Sequence, residues 1–141
     1  ILKSFDFEGI AIKIFSMKTF IKIILSLFLF QSVLFAAGKP YSQTEFDKLI
    51  KEGKPVVLHV HAKWCSTCAK QDPILNSLMK IPEFKNFTFY NLDYDTNKDL
   101  LKKLKVSRQS AIIVFRQGKE QGRSLGDTNE SSIKQLLRKA S

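Results

Sequence analysis

The sequence predicts a single α/β domain whose central mixed sheet is flanked by helices, and three observations lead to this prediction. Two apolar runs rich in β-branched residues, at 56–61 and 111–115, are typical of buried strands. Segments with helical spacing separate the strand segments, which indicates crossover connections between parallel strands. A glycine-containing turn at 117–118 predicts an antiparallel hairpin at the end of the sheet. A chain of 141 residues has room for one domain and a short additional segment.

The first half of the domain alternates helix and strand. Ser42 opens a capping-box pattern, so a helix is predicted to begin there and to end before Gly53. The strand at 56–61 follows this helix. A second helix is predicted over residues 65–79, and Pro73 lies inside it and predicts a kink.

The second half continues with strand and helix and then closes with a hairpin and a helix. The predicted elements are a strand at 87–93, a short helix at 97–104, a buried strand at 111–115, its antiparallel partner at 120–125, and a last helix to about residue 140. Thr128 or Asn129 is expected to cap the last helix. A further short strand is expected near Tyr41.

Residues 17–37 have the layout of a secretory signal peptide. Lys18 and Lys22 follow Met17, an apolar run comes next, and small residues end the segment. The run is shorter than the roughly 20 residues of a membrane span, which favours a signal peptide over an uncleaved N-terminal anchor. Residues 1–16 are expected to lie upstream of the true start, with a longer basic leader as the alternative. We therefore expect a periplasmic or secreted protein, held at a membrane only if the signal is not cleaved.

Composition and charge exclude some functions. The net charge is +10, but the basic side chains are scattered and no nucleic-acid-binding motif accompanies them, so no nucleic-acid partner is expected. The chain has only two cysteines, both in one short motif. A fold stapled by disulfides needs more cysteines spread along the chain, so any disulfide here is local.

The two cysteines lie in the run Trp64-Cys65-Ser66-Thr67-Cys68, at the predicted junction of a strand and a helix. A thiol at a helix N-terminus faces free backbone N–H groups and the positive end of the helix dipole, and both favour the thiolate. Cys65 is therefore the predicted nucleophile. Cys68 lies one turn further along and is the predicted resolving thiol. The redox-active Cys65–Cys68 disulfide would need no other cofactor.

Together with features spread over residues 41–140, this motif resembles the thioredoxin superfamily. The shared features are Trp64 before the cysteine pair, Pro73 in the helix after it, Asp95 after a long strand, the turn Phe115-Arg116-Gln117-Gly118, and Gly126. The resemblance implies a thioredoxin-like fold for residues 38–141 and a thiol–disulfide oxidoreductase activity. It also implies protein thiols or disulfides as substrates and a redox partner protein, and we expect the protein to act as a monomer.

Three positions depart from the family pattern. The family's cis-proline falls on Ser110, where we expect a trans peptide or an altered loop. The family's buried acid falls on His59. Ser66-Thr67 separates the cysteines without the usual proline, and its hydroxyls would stabilise a thiolate and make the pair more oxidising. Trp64, Gln109 and Ser110 are predicted to contact substrate, with an ordinary solvated loop as the alternative for Gln109.

His59 takes the place of an acid and is predicted to carry the proton of Cys68, because imidazole has an ordinary pKa near 6.5. The alternative is a buried, hydrogen-bonded structural histidine. Strand periodicity puts His61 on the same side as His59. Two other functions stay open at this point. One is a redox-linked copper- or zinc-binding module that uses Cys65, Cys68 and His59. The other is a non-catalytic binding module. The sequence does not predict whether the pair reduces, oxidises or isomerises disulfides.

Overall fold

The computed structural model describes residues 38–141, which form five strands, four α-helices and one 3-10 turn. In chain order these are β1 Lys39–Pro40, α1 Gln43–Lys51, β2 Val56–His61, α2 Ser66–Leu78, the 3-10 turn Pro82–Phe84, β3 Thr88–Asp93, α3 Lys98–Lys103, β4 Ala111–Arg116, β5 Lys119–Leu125 and α4 Glu130–Arg138. The predictions of a signal peptide and an upstream segment fall on residues 1–37 and lie outside the described residues. Within the described range, no helix is both long and apolar enough to cross a membrane.

The five strands form one mixed sheet in the order β1-β3-β2-β4-β5. β1 and β3 are parallel, as are β3 and β2, whereas β4 runs antiparallel to both of its neighbours. The predicted α/β class with a mixed central sheet is confirmed. The short strand expected near Tyr41 is β1, and the 3-10 turn before β3 is the one element that the sequence pattern did not predict.

The β4–β5 hairpin turns at the two residues expected from the sequence. Gln117 and Gly118 have φ values of 51° and 75°. Positive φ at both central residues matches the right-handed twist of the flanking strands, and glycine adopts it without a steric cost.

Side chains cap the helices where the sequence indicated. Ser42 is the N-cap of α1 and accepts a hydrogen bond from the backbone N–H of Glu45 at 3.5 Å. Of the two candidates for α4, Asn129 is the N-cap, and its side-chain oxygen accepts from the N–H of Ser132 at 3.0 Å. These bonds satisfy backbone donors that have no partner within the helix.

The sheet separates two apolar clusters. Helices α1 and α3 contribute to the first cluster, whose buried members are Phe46, Val56, Leu58, Val60, Tyr90, Leu92, Leu101, Ala111, Ile113 and Phe115. Helices α2 and α4 contribute to the second, whose buried members are Val57, Leu75, Leu78, Phe84, Ile112, Val114, Ile133, Leu136, Leu137 and Ala140. Side chains alternate along a strand, so His59 shares the face of Val57, under α2. A histidine thus occupies a position at which the pattern calls for an apolar side chain.

Candidate active site

The two cysteines form a disulfide at the start of α2. Their Cα atoms are 5.3 Å apart, within the usual range for this bond. Cys65 is the N-cap of the helix, and its Sγ accepts a hydrogen bond from the backbone N–H of Cys68 at 3.0 Å. The placement predicted from the sequence, at a strand–helix junction, is what the structure has.

The two sulfur-bearing residues have different surroundings. Cys65 is 5% exposed, whereas Cys68 is fully buried. After reduction, the N–H of Cys68 and the positive end of the α2 dipole would both stabilise a thiolate on Cys65. Cys65 is therefore the sulfur better placed both for the thiolate form and for contact with a substrate.

Ser110 lies beside the buried sulfur, just before β4. The carbonyl oxygen of Val60 accepts the backbone N–H of Ser110 at 2.7 Å, and the Sγ of Cys68 lies 3.8 Å from the same oxygen. The structure thus brings Ser110 and Cys68 together around the end of β2, at the carbonyl oxygen of Val60.

The peptide bond before Ser110 is trans, and Ser110 has a φ of 62°. One of the two expectations for this position is therefore met, and the backbone adopts a left-handed conformation that residues other than glycine and asparagine rarely use. The hydroxyl of Ser110 donates to the carbonyl oxygen of Gln109 at 2.6 Å. The carbonyl of Ser110 in turn accepts the N–H of Gly126 at 2.9 Å, which ties this loop to the end of β5.

The two other predicted substrate contacts lie at the surface. Trp64 is 61% exposed, and its indole N–H donates to the carboxylate of Asp95 at 2.8 Å. The Tyr94 ring packs edge-on against it, with 6.4 Å between ring centroids. Gln109 is half-buried. Asp95 and Tyr94 thus contact the Trp64 ring, and most of the residue is left open to a partner.

His59 is fully buried and has polar partners on both ring nitrogens. Its Nε2 lies 2.9 Å from Oε1 of Gln71, and its Nδ1 lies 3.3 Å from Oδ1 of Asn91 and 3.5 Å from Oδ1 of Asp72. Burial lowers the pKa of His59 below its ordinary value of 6.5, and the hydrogen bonds and the Asp72 charge oppose this effect only in part. None of the hydrogen bonds of the described residues joins His59 directly to Cys68, so the proton-carrying role stays a prediction.

Gln71 connects His59 to the loop at Ser110. Its side chain is fully buried, and its Nε2 donates to the carbonyl oxygens of Ser110 at 3.1 Å and of Asp127 at 2.8 Å. A carbonyl oxygen only accepts, so these two bonds fix which end of the amide is nitrogen. The amide oxygen of Gln71 therefore faces His59.

His61 lies beside His59 on β2, and both contact Asp72. The ring centroids of the two histidines are 5.6 Å apart, which confirms that they share a side of the strand. Nε2 of His61 lies 3.2 Å from Oδ2 of Asp72, and the two side chains are 27% and 34% exposed. One carboxylate thus contacts a buried imidazole with one oxygen and a partly exposed imidazole with the other.

Three of these polar residues were not singled out from the sequence. Gln71 and Asp72 follow Cys68 on α2, and Asn91 is the β3 partner of His59 in the sheet register. A signal for Gln71 exists, because it is the one polar residue in the buried stripe Cys68, Gln71, Leu75 and Leu78. Nothing local marks Asp72 or Asn91, whose contacts arise between elements.

The copper- or zinc-binding alternative would need Cys65, Cys68 and His59 to act together on one ion. The sulfurs of Cys65 and Cys68 are bonded to each other, and no group of three or more His, Cys, Asp or Glu side chains in residues 38–141 is arranged to hold a metal ion. Asp93 closes the turn after β3, where it accepts the backbone N–H groups of Asp95 and Thr96 at 2.9 Å each.

Three comparisons place the chain among known proteins. A family model described as "Thioredoxin" matches residues 38–139. Thioredoxin-1 of Saccharomyces cerevisiae is 32% identical over 94 residues, which cover 67% of this chain and 88% of the yeast protein. The thioredoxin of Echinococcus granulosus is 34% identical over 102 residues, covering 72% and 92%. The crystal structure of Trxlp from Edwardsiella tarda EIB202 matches with a TM-score of 0.69 at 34% identity, covering 72% of this chain and 98% of that one.

Proposed function

The chain belongs to the thioredoxin family and is a thiol–disulfide oxidoreductase, and from this premise we propose that it exchanges disulfides with protein cysteines outside the cytoplasm. The observation that supports the proposal most directly is the hydrogen bond from the N–H of Cys68 to the Sγ of Cys65 at 3.0 Å. It favours a thiolate on the more accessible sulfur and leaves the buried sulfur as the resolving partner.

The reaction proceeds by two exchanges. The thiolate of Cys65 attacks a substrate disulfide, forms a mixed disulfide and releases the first substrate thiolate. The thiol of Cys68 then loses its proton, and its sulfur attacks the Sγ of Cys65. The second substrate thiolate leaves, the Cys65–Cys68 disulfide forms, and two electrons have passed to the substrate. A dithiol protein partner restores the reduced pair, and the reverse sequence oxidises a substrate dithiol.

His59 is proposed to accept the proton of Cys68 in the second step. It lies under α2, its burial lowers its pKa, and it is therefore neutral and able to take up a proton at neutral pH. Trp64, Gln109 and Ser110 are proposed to form the surface that receives the substrate. Trp64 offers an exposed aromatic ring. The N–H of Ser110 and the Sγ of Cys68 both contact the carbonyl oxygen of Val60, so Ser110 lies close to the reacting pair.

Export is proposed from the signal-peptide pattern of residues 17–37. Expression of the chain with its own N-terminus in a bacterial host, followed by fractionation and mass spectrometry of the product, tests this. We expect the protein in the periplasm or the medium with its mature N-terminus near residue 37. Full-length protein confined to the cytoplasm would contradict export and leave the redox proposal intact.

The redox proposal is tested with the two cysteine variants. Cys68→Ser should trap a mixed disulfide between Cys65 and substrate proteins, whereas Cys65→Ser should trap none and reduce insulin no faster than the background reaction. Equal activity of the wild type and Cys65→Ser would refute the proposal. The direction is read from the reduction potential of the pair: a value near about −270 mV indicates a reductant, and one near about −120 mV an oxidant. Analytical ultracentrifugation checks the proposed monomeric state.

A further inference from the structure

Among residues 38–141, only acceptor atoms face the ring nitrogens of His59. Nε2 faces the amide oxygen of Gln71 at 2.9 Å, which the two carbonyl bonds of Gln71 fix in that orientation. Nδ1 faces oxygens of Asn91 and Asp72 at 3.3 and 3.5 Å. The amide nitrogen of Asn91 donates to the carbonyl oxygen of Gly38 at 3.3 Å, so its oxygen is the end that faces His59.

The distances favour one nitrogen of His59 as the site that titrates. The acceptor at Nε2 is the closer one, at 2.9 Å against 3.3 and 3.5 Å at Nδ1, so the proton of the neutral ring is assigned to Nε2. The lone pair on Nδ1 of the neutral ring then points at two acceptor oxygens and receives no hydrogen bond from them. When Nδ1 is protonated, its N–H can donate to these same oxygens, one of which belongs to a carboxylate.

Asp72 extends this arrangement to the surface. Its Oδ1 faces Nδ1 of His59, and its Oδ2 lies 3.2 Å from Nε2 of His61. His59 has no exposed surface, whereas the Asp72 and His61 side chains are 34% and 27% exposed. Asp72 and His61 thus form a continuous polar connection between the buried imidazole and solvent.

We propose that Gln71 orients His59 so that Nδ1 exchanges the proton, and that Asp72 and His61 conduct that proton between the buried site and solvent. The proposal rests on the proposed function in one respect, the assignment of His59 as the acceptor of the Cys68 proton. Gln71 is a positioning residue in this scheme, because it acts through His59 and touches no reacting sulfur.

The proton balance follows the second exchange. When the sulfur of Cys68 attacks the Sγ of Cys65, its proton goes to Nδ1 of His59. The imidazolium then donates this proton to Oδ1 of Asp72, and rotation of the neutral carboxyl group turns the same proton towards Nε2 of His61. From His61 the proton passes to water. The substrate receives the electron pair as a leaving thiolate, so one proton reaches solvent for each Cys65–Cys68 disulfide formed. Reoxidation of a substrate dithiol runs the same steps backwards.

The charges around His59 are few. The titratable groups that face it are Asp72 on α2 and His61 on β2, while β3 contributes the neutral amide of Asn91 and the ring of Phe89. The pH dependence of the second exchange should therefore respond to substitutions at Asp72 and His61 and to no other carboxylate of the described residues.

Nitrogen-15 NMR of the two histidines tests the assignment of the titrating atom. We expect wild-type His59 to be the Nε2–H tautomer at high pH and to gain its second proton at Nδ1. Gln71→Leu should allow the other tautomer, and Asp72→Asn should lower the titration midpoint of His59 by about 1 unit without changing its tautomer. An Nδ1–H tautomer in the wild type, or a midpoint unaffected by Asp72→Asn, would overturn the proposal.

Stopped-flow reaction of the reduced protein with an aromatic disulfide that releases a coloured thiolate separates the two exchanges. The first release reports Cys65, and the second reports attack by Cys68. We expect His59→Leu to slow the second release on the order of 100-fold, with smaller slowing, about tenfold, in Asp72→Asn and His61→Asn. Asp72→Glu should restore most of the rate, and the exposed-carboxylate control Asp99→Asn should leave both releases unchanged.

The outcomes separate this proposal from the proposed function. If His59→Leu slows the second release but Asp72→Asn and His61→Asn do not, the histidine role holds and the proton path is wrong. If none of the three changes the second release, both the path and the role of His59 are wrong while the two-cysteine reaction stands. Loss of the first release in Cys65→Ser is required in every case by the proposed function alone.

Discussion

The side-chain amide of Gln71 donates to the carbonyl oxygen of Ser110 at 3.1 Å and so joins helix α2 to the loop before β4, beneath the disulfide. The same nitrogen also reaches the carbonyl oxygen of Asp127 at 2.8 Å, ahead of α4. One buried amide therefore joins helix α2 to the two loops that precede β4 and α4. The local stability of the site should depend on this side chain more than on its neighbours in the core.

Replacement of Gln71 by leucine is expected to destabilise the domain by about 1–3 kcal/mol. The change leaves the carbonyl of Asp127 and Nε2–H of His59 without their partners in a buried setting. Chemical denaturation monitored by circular dichroism measures the free energy of unfolding.

Gln121→Leu is a matched control, because Nε2 of Gln121 also donates to two carbonyl oxygens, those of Arg116 and Lys119, but at the surface. There water replaces the lost donor, and a change within about 0.5 kcal/mol is expected. Equal losses in the two variants would contradict the structural importance of the buried amide.

Ser110→Pro should destabilise this protein, although Ser110 is the position at which the sequence resemblance predicts a proline. Ser110 has a φ of 62°, whereas the proline ring fixes φ near −65°. Proline also lacks the N–H that Ser110 donates to Val60 at 2.7 Å. A loss of about 3 kcal/mol in the free energy of unfolding is expected. Ser110→Gly keeps the N–H and permits the positive φ, so a change within about 1 kcal/mol is expected. A proline variant as stable as the glycine variant would show that this loop readily accommodates a negative φ at residue 110.

The sequence predicted the fold well because the fold depends on local patterns. The strand at 56–61, the hairpin turn at Gln117 and Gly118, and the cysteine at the start of α2 follow from strand alternation, turn chemistry and helix-end chemistry. The polar contacts of the site join residues far apart in sequence: His59 contacts Asn91, 32 positions away, and Gln71 contacts Asp127, 56 positions away. Such pairs depend on packing between elements. A short stretch of sequence contains only one of the two partners and therefore cannot indicate the contact.

Trp64→Ala is expected to slow reaction with protein disulfides several-fold while leaving the unfolding free energy within about 0.5 kcal/mol of the wild-type value. The ring is 61% exposed, so its truncation removes little buried area but takes away apolar surface that a protein partner would cover. The rates of the wild type and of Trp64→Ala are compared with insulin and with oxidised glutathione as substrates.

The glutathione rate should change little, because a small disulfide needs only Cys65. Trp64→Phe keeps an aromatic ring without the hydrogen bond to Asp95 and should retain most of the activity with insulin. Equal slowing with both substrates would contradict a role in protein recognition.

The burial of His59 should make stability depend on pH in a defined window. Its pKa is lowered below 6.5 in the folded state, chiefly by desolvation, so the unfolded chain binds a proton more readily. His59 therefore contributes stability above about pH 6.5, and this contribution is lost as the pH falls towards its folded-state pKa, with a slope of at most about 1.4 kcal/mol per pH unit. Unfolding is measured between pH 5 and pH 8, where Glu45, Glu83 and Asp93 stay ionised because their pKa values are lowered from 4.5, 4.5 and 3.8. Comparison with His59→Leu isolates the contribution of His59. In His59→Leu this loss of stability on acidification should be absent. If wild type and His59→Leu lose stability in parallel as the pH falls, the pKa of His59 does not differ between the folded and unfolded states, and another group must set the pH dependence.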